Sequence, residues 1–266
     1  VATGSGSHAA IALACIDRGV NVIIEKPMAM SISDADEIIR RAEKKGVAVS
    51  VCHQNRFNEA VIRTRRALAA GRFGRLSHGC VHVRWNRGAD YYAQAPWRGT
   101  WAGDGGALMN QCIHGIDLLR FMMGGDVEEV YGVTRRRFHH YIEAEDLGLA
   151  VVKFKSGAVA AIEGTTNVYP QSLEETLYIF GERGTVKLGG KNVNRIDVWA
   201  FSDEADGDAA SEGFEEKTVN VYGNGHTGLY KDVAEAIRTG RRPHVNARDG
   251  KAAVELVLAI YKSQRE

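Results

Sequence analysis

The first 74 residues alternate short apolar runs with helix-like stretches, and this alternation is the strongest constraint on the fold. The apolar runs are residues 20–24 and 47–52. Strands that alternate with helices in this way build βαβ units, in which the strands are parallel. The sequence therefore predicts a parallel α/β domain over residues 1–74, with helices at residues 8–18, 33–45 and 58–70.

Glycine and serine residues predict where the first two helices begin and end. Gly19 follows the first helix and Gly46 the second, as expected for helix C-termini. Ser33 stands three residues before Asp36, a spacing typical of a capping box. We therefore expect the second helix to begin at Ser33.

Beyond residue 74 the pattern changes to β-strands. One helix, at residues 106–123, interrupts them, and two helical stretches follow at residues 229–238 and 249–263. The acidic residues 203–216 are predicted to form an exposed loop. The second domain, residues 75–266, is therefore predicted to hold a mostly antiparallel sheet, with strands at residues 76–85, 127–134, 147–154, 158–166 and 172–180.

Composition excludes several classes of function. The 266 residues include 34 basic and 33 acidic side chains, a net charge of +1, which argues against a nucleic-acid-binding protein. No apolar run approaches the length of a membrane helix. The cysteines are far apart and form no CxxC motif, which favours reduced thiols in the cytoplasm and no zinc site; they are Cys15, Cys52, Cys80 and Cys112.

A glycine-containing turn lies at the start of the first helix. Gly4-Ser5-Gly6 follows a strand-like segment, and Glu25 lies at a strand end about 20 residues later. This arrangement is similar to the dinucleotide fingerprint, in which helix amides bind pyrophosphate and an acid binds ribose. The third glycine is missing, so an ordinary strand-to-helix turn remains the alternative.

Lys26 lies at the end of a predicted parallel strand, within Glu25-Lys26-Pro27. Ligands of parallel α/β folds bind beyond the carboxyl ends of the strands. A lysine next to a positively charged nicotinamide would have a lowered pKa and could hydrogen-bond a substrate hydroxyl. The alternative is a solvated lysine in a loop.

The predicted helix 106–123 carries the densest group of polar residues. Asn110 and His114 are four residues apart and would share a helix face, and Asp117 lies one turn further on. An imidazole oriented by a carboxylate is a plausible general base near neutral pH. A hydrogen-bonded core histidine is the alternative. A metal site is not predicted, because His-x-x-Asp supplies only two ligands.

Together these motifs resemble the Gfo/Idh/MocA family of nicotinamide-dependent sugar oxidoreductases. The glycine-rich segment up to His114 and Asp117 is the most specific part, and the cluster around it is most similar to enzymes that oxidise C3 of UDP-N-acetylated hexosamines or their uronic acids. The resemblance is carried by residues 3–8, Glu25-Lys26-Pro27, Gln54-Asn55-Arg56-Phe57, residues 71–74, Arg84-Trp85, Tyr91-Tyr92, Trp97-Arg98-Gly99 and residues 105–117.

The resemblance implies part of a Rossmann domain followed by an α+β domain with a large, mostly antiparallel open sheet. It further implies NAD as cofactor, with NADP as the alternative, and a small sugar or nucleotide-sugar substrate. It implies a homodimer or homotetramer assembled through the sheet. The family's glycine fingerprint should precede Val1, so a truncated Rossmann domain is expected.

The resemblance also implies roles for individual residues. The catalytic residues would be Lys26, His114 and Asn110, with Asp117 supporting His114. Many family members carry aspartate where this chain has Asn110, and asparagine cannot take a proton, which shifts proton transfer to His114 and Lys26. The cofactor residues would be Thr3, Gly4, His8, Glu25, Lys26, Gln54, Trp97 and Arg98, and the substrate contacts Lys26, Arg84, Tyr92, Asn110, Gln111, His114 and His226.

Three other functions fit the same residues. The first is an NAD-dependent glycoside hydrolase on the same fold, which would release a sugar without net NADH. The second is a dehydrogenase of a free sugar or cyclitol. The third is a non-catalytic sensor or truncated homologue. The formation of NADH on addition of nucleotide sugars would distinguish the nucleotide-sugar dehydrogenase from the hydrolase and the sensor.

Overall fold

The computed structural model describes residues 1–205, 207–217 and 223–264, and its N-terminal part is a parallel α/β unit. Two short strands pair in parallel, with Val22 opposite Val49. Val1 continues this arrangement, because its carbonyl accepts a hydrogen bond from the Glu25 N–H at 2.8 Å. The elements are α1 (His8–Asp17), β1 (Val22–Ile24), α2 (Ile32–Lys45), β2 (Val49–Val51) and α3 (Glu59–Ala69).

The start of α2 differs from the prediction. The helix is capped by Ser31, whose backbone is extended and whose hydroxyl accepts a hydrogen bond from the Asp34 N–H at 3.1 Å. Ser33 therefore lies inside the first turn, and the prediction that it begins the helix is wrong. The C-terminus is as predicted, because Gly46 has a φ of 66°, a left-handed conformation that glycine adopts at little cost.

The second part is built on one seven-stranded sheet. Its order is β4-β5-β6-β3-β7-β8-β9, and every neighbouring pair is antiparallel except β3 and β6. The five predicted strands are present, and β8 and β9 were not predicted. The strands are β3 (Leu76–Arg84), β4 (Val127–Arg135), β5 (Leu147–Phe154), β6 (Val159–Thr165), β7 (Glu174–Gly181), β8 (Gly184–Gly189) and β9 (Arg195–Phe201).

The helix predicted at residues 106–123 begins seven residues later than expected. Residues 107–112 form turns, in which the Cys112 N–H bonds to the Ala107 carbonyl five residues back. The N–H groups of Ala107 and Leu108 are bound instead by the carbonyl and the side chain of Glu145. Asn110 therefore precedes the helix. The remaining helices are α4 (Ala89–Tyr92), α5 (Ile113–Met123), α6 (Gly225–Thr239) and α7 (Ala247–Ser263).

Close packing holds α5 on one face of the sheet. A Cβ at Gly79 of β3 would lie 2.8 Å from Met123 Sδ, and a Cβ at Gly115 would lie 2.8 Å from Val81 Cγ2. Gly115 lies in the first turn of α5 and Met123 is its last residue, so these two glycines let both ends of the helix approach β3 closely. The C-terminal helix α7 packs on both parts of the molecule, against β2 and α2 as well as against α5 and β4.

The opposite face of the sheet exposes apolar side chains. Tyr131 lies opposite Val151 across β4 and β5, and Val133 lies opposite Leu149; all four are exposed. Assembly through this sheet stays a prediction. Within the ranges that the structure describes, none of the helices has the length and apolar character needed to cross a membrane.

Candidate active site

A cleft of about 540 Å³ lies between the N-terminal α/β unit and the carboxyl end of β3. It collects residues from the segments that follow β1, β2 and β3, the turn before α5, the first turns of α5 and α6, and β7. Eleven of the residues predicted for the site line it, which are Thr3, His8, Glu25, Lys26, Gln54, Trp97, Arg98, Asn110, Gln111, His114 and His226.

Lys26 is held at one wall of the cleft by the turn before α5. Its Nζ donates hydrogen bonds to the main-chain oxygen and to Oδ1 of Asn110, both at 2.8 Å. Burial lowers the pKa of Lys26 below its usual value, and the nearby Glu25 and Asp104 oppose that shift. The amine can therefore change its protonation more easily than an exposed lysine.

Asn110 links Lys26 to a buried carboxyl. Its Nδ2 donates to Asp104 Oδ1, and Asp104 Oδ2 accepts the N–H of Gly99 at 2.9 Å. Burial raises the pKa of Asp104. Because both ends of the Asn110 amide already have protein partners, its orientation is determined and it sets the position of Lys26.

His114 lies in the first turn of α5, on the same cleft. Its Nδ1 is buried, and none of the described residues forms a hydrogen bond with it. Burial lowers its pKa well below 6.5, and the charges of Lys26 and of two other histidines, His53 and His226, add to this effect. The imidazole is therefore neutral at neutral pH, the state in which it can accept a proton.

Asp117 does not orient His114, contrary to the sequence-based expectation. Its carboxylate binds Arg56 through two hydrogen bonds, of 2.7 and 2.5 Å. Arg56 also donates to Asp249 at 3.0 Å. Burial raises the pKa of Asp117, but the charge and hydrogen bonds of Arg56 outweigh burial and hold the pKa below its usual value. The buried ring of His53 lies between Asp117 and His114.

Replacing Arg56 by methionine should lower the free energy of unfolding by about 3–5 kcal/mol, because it leaves Asp117 buried without its counter-charge. Urea unfolding of the purified protein would measure this change. Arg40→Met is the matched control: Arg40 also pairs with a carboxylate, Glu37, but on the surface of α2, so little change is expected. A loss in Arg56→Met no larger than in this control would contradict the prediction.

The glycine loop before α1 is tightly packed against the second part of the chain. A Cβ at Gly4 would lie 3.2 Å from the Trp97 indole, and a Cβ at Gly6 would lie 2.6 Å from the Ala102 carbonyl. Gly4 is thus covered by Trp97 and does not line the cleft. The close approach of these segments explains why glycine occurs at both positions.

Unpartnered polar atoms in the cleft fit a nicotinamide nucleotide. Gln54 Oε1 and Arg98 Nε are buried without hydrogen-bond partners among the described residues. An amide oxygen and a guanidinium nitrogen suit the carboxamide and phosphate groups of such a ligand. His8 lies beside them, its ring nitrogens 2.8 Å from the Pro27 oxygen and 3.0 Å from the Thr3 oxygen, and connects α1 to the lysine-bearing loop.

Arg84 and Tyr92, both predicted substrate contacts, lie outside the cleft. Arg84 forms ion pairs with Glu163 and Glu174 on the outer face of the sheet. Tyr92 is buried against His139 and Tyr141, and burial raises the pKa of its hydroxyl. Successive residues of a strand point to opposite faces, so for Arg84 a choice that is off by one residue selects the wrong face. Tyr92 lies in the short helix α4, where the preceding residue, Tyr91, lines the cleft.

The residues next to these two line the cleft instead. Trp85 and Arg87 follow β3, and the Tyr91 hydroxyl is bound by Arg98 at 2.5 Å and by Gln111 at 3.2 Å. The motifs Arg84-Trp85 and Tyr91-Tyr92 indicated that this region belongs to the site. They did not indicate which residue of each pair faces the cleft. Sequence reasoning missed seven lining residues, which are Ala2, Ser5, Asn55, Trp85, Arg87, Tyr91 and Glu175.

Comparison with known families matches both parts of the chain. Residues 1–53 match a model described as an oxidoreductase family with an NAD-binding Rossmann fold. Residues 61–187 match the model of the GFO/IDH/MocA C-terminal domain. The predicted fold class, with its Rossmann-type unit and large open sheet, is thereby confirmed.

Solved structures and curated relatives agree with these matches. The WlbA dehydrogenase from Bordetella pertussis, crystallised with NADH and UDP-GlcNAcA, is 38% identical with a TM-score of 0.90, and the alignment covers 100% of this chain and 75% of WlbA. A myo-inositol 2-dehydrogenase from Thermotoga maritima is 27% identical over 100% of this chain and 77% of its own length. A scyllo-inositol 2-dehydrogenase (NADP(+)), IolW, from Bacillus subtilis is 25% identical over 100% and 76%.

Proposed function

Because this chain belongs to the Gfo/Idh/MocA family of NAD(P)-dependent oxidoreductases, we propose that it transfers hydride between a secondary alcohol of a nucleotide sugar and NAD. The alcohol proposed is C3 of a UDP-N-acetylated sugar or its uronic acid. The observation that carries this proposal is the meeting of Lys26, Asn110 and neutral His114 on one cleft that joins the NAD-binding unit to the sheet.

The proposed chemistry divides between two side chains. His114 accepts the proton of the sugar hydroxyl, since its neutral ring lines the cleft and its Nδ1 has no hydrogen-bond partner among the described residues. Lys26, held by Asn110, stabilises the charge that develops on the sugar oxygen. NAD, when bound, accepts the hydride. Gln111 is positioned by Tyr91 to contact neighbouring groups of the sugar.

The charge of the cleft supports an anionic substrate. Lys26, Arg87 and Arg98 all line it. The Arg87 guanidinium lies 4.9 Å from the Trp85 ring and 5.3 Å from the Tyr91 ring and donates only to its neighbour's carbonyl, so the described residues provide it with no carboxylate. An arginine held in this way has donors left for a phosphate or carboxylate.

Replacing Arg87 by alanine should raise the KM for a UDP-sugar by about 10- to 100-fold, because a charge-assisted hydrogen bond is lost. The kcat should change much less, since Arg87 lies away from the reacting alcohol in the proposal. Arg75→Ala, which removes an exposed arginine from the surface, is the matched control. If Arg87→Ala raised the KM for neutral sugars as much as the KM for UDP-sugars, the proposed contact with an anion would be contradicted.

The proposal as a whole is tested by NADH formation. We would first measure the intact mass of the purified protein and any nucleotide that it releases on denaturation. Absorbance of NADH would then be followed with UDP-GlcNAcA, with the same UDP-sugar lacking the uronate carboxylate, and with free cyclitols. We expect NADH with UDP-sugars. Sugar release without NADH would favour the glycoside hydrolase, and no reaction with any of them would favour the sensor.

A cyclitol or free sugar is the second candidate substrate. The observation that favours it is the similarity to two inositol dehydrogenases along the whole of this chain, although at 27% and 25% identity. The NADH assay separates the candidates directly, because myo-inositol carries no anionic group for Arg87. Turnover of myo-inositol at a higher kcat/KM than any UDP-sugar would replace the nucleotide-sugar proposal.

A further inference from the structure

Glu175 is a buried carboxyl group at the sheet side of the cleft. It lies near the start of β7, where it pairs with Val83 of β3, and its residue is 1% exposed. The preceding residue, Glu174, points to the other face of the sheet and pairs with Arg84. Strand alternation thus sends one glutamate outward and brings the other to the wall of the cleft.

The surroundings of Glu175 supply no partner. Its Oε1 is fully enclosed without a hydrogen bond, and no other hydrogen bond of its side chain occurs among the described residues. Of the groups on α5 and in the turn before it, the thiol of Cys112 interacts with the charge of Glu175, and His114 lines the same cleft. From β3 they are the apolar Val81 and Val83, near Gly115. Arg84 is engaged on the opposite face.

A carboxylate in such a place would be costly, whereas a carboxylic acid is tolerated. Burial raises the pKa of Glu175 to about 8. At neutral pH the group is therefore mainly protonated, with one O–H to donate. Because the described residues offer that donor no acceptor, a ligand in the cleft can supply one.

We propose that Glu175 is a substrate-binding residue, whose carboxylic acid donates a hydrogen bond to an acceptor oxygen of the sugar. This inference rests on the proposed function, because it takes the ligand on the sheet side to be the sugar. We assign the sugar to the sheet side of the cleft because residues 1–53 match the NAD-binding unit and Glu175 lies across the cleft from that unit, on β7.

Two variants test the proposal through affinity. Glu175→Leu removes the donor, and Glu175→Gln keeps an N–H donor of similar shape that does not titrate. Affinity for UDP-GlcNAcA would be measured by equilibrium dialysis in the presence of NADH, so that no turnover is needed. We expect Glu175→Leu to lose about 10-fold or more in affinity and Glu175→Gln to stay within about 3-fold of the wild type. Glu174→Gln is the control on the opposite face.

The pH dependence of the affinity is a further test, because a purely structural role of Glu175 would not change it. Above about pH 8 the wild type should lose affinity, since ionisation of Glu175 removes its donor and adds a negative charge. Glu175→Gln should not show this loss. Thermal unfolding should find Glu175→Leu at least as stable as the wild type, because an unpartnered buried polar group is removed.

The outcomes separate this proposal from the proposed function. Unchanged affinity in Glu175→Leu would overturn the role of Glu175 even if the wild type oxidises UDP-sugars. Equal losses of affinity in both variants, accompanied by lowered melting temperatures, would also overturn it, because a structural role would explain them. A wild type that binds UDP-GlcNAcA without oxidising it would contradict the proposed function alone. A wild type that does not bind it would overturn both.

Discussion

Replacing His114 by alanine is expected to lower kcat by about 10²- to 10⁴-fold, the usual contribution of a general base. His114 lies in the first turn of α5 and lines the cleft, and its pKa is lowered chiefly by burial. KM should change little, because the sugar retains its other contacts. Steady-state NADH formation would measure both constants, and far-UV circular dichroism would confirm that the variant is folded.

The wild-type pH profile offers an independent check on His114. A base acts only when it is unprotonated, so lowering its pKa extends activity toward acid. The acidic limb of kcat/KM should therefore lie below pH 6.5, the ordinary value for histidine. His140→Ala, which removes an exposed histidine, is the control and should retain normal rates. Near-normal kcat in His114→Ala would remove this residue from the mechanism.

Replacing Lys26 by methionine is the second large effect expected, again a loss of about 10²- to 10⁴-fold in kcat. The change removes the amine that faces the cleft. It also leaves the Asn110 side-chain oxygen without the hydrogen bond that it accepts from Lys26 in the wild type. Methionine has a similar length and apolar stem, so it avoids the cost of burying a charge. The loss should therefore appear in kcat and not in thermal stability.

Two further variants make the test of Lys26 specific. Lys26→Arg should not restore the rate, because a guanidinium has a different shape and stays protonated. Lys45→Met, on the exposed end of α2, controls for loss of a lysine charge elsewhere. A kcat within about 3-fold of the wild type in Lys26→Met would show that this amine does not act in the reaction.

Local patterns predicted most of the helices and strands of this chain. Apolar runs separated by helix-like stretches gave the parallel unit, and strand-like alternation gave five of the seven strands of the sheet. The error at the start of α5 has its cause in a distant residue. Glu145 binds the N–H groups of Ala107 and Leu108 and delays the start of α5, which no local pattern near residue 106 indicates.

Ion pairs between distant residues could not be predicted from local sequence patterns, for the same reason. Asp117 follows His114 by one helical turn, yet it binds Arg56, a residue 61 positions earlier in the chain. A buried guanidinium with two fixed donors outcompetes a neighbouring imidazole for the carboxylate. Only the packing of α5 against the segment before α3 brings Arg56 and Asp117 together.

By itself, the sequence determined the fold class, the placement of Lys26 at the end of a parallel strand and the presence of His114 in the following domain, because these depend on residue type and short spacing. The tertiary structure decided which side chains share the cleft. It brought Lys26 to Asn110 across 84 positions, excluded Arg84 and Tyr92, and placed Glu175 at the wall. These outcomes depend on strand register, in which a shift of one residue reverses the face of a strand. They also depend on how the two parts of the chain pack together.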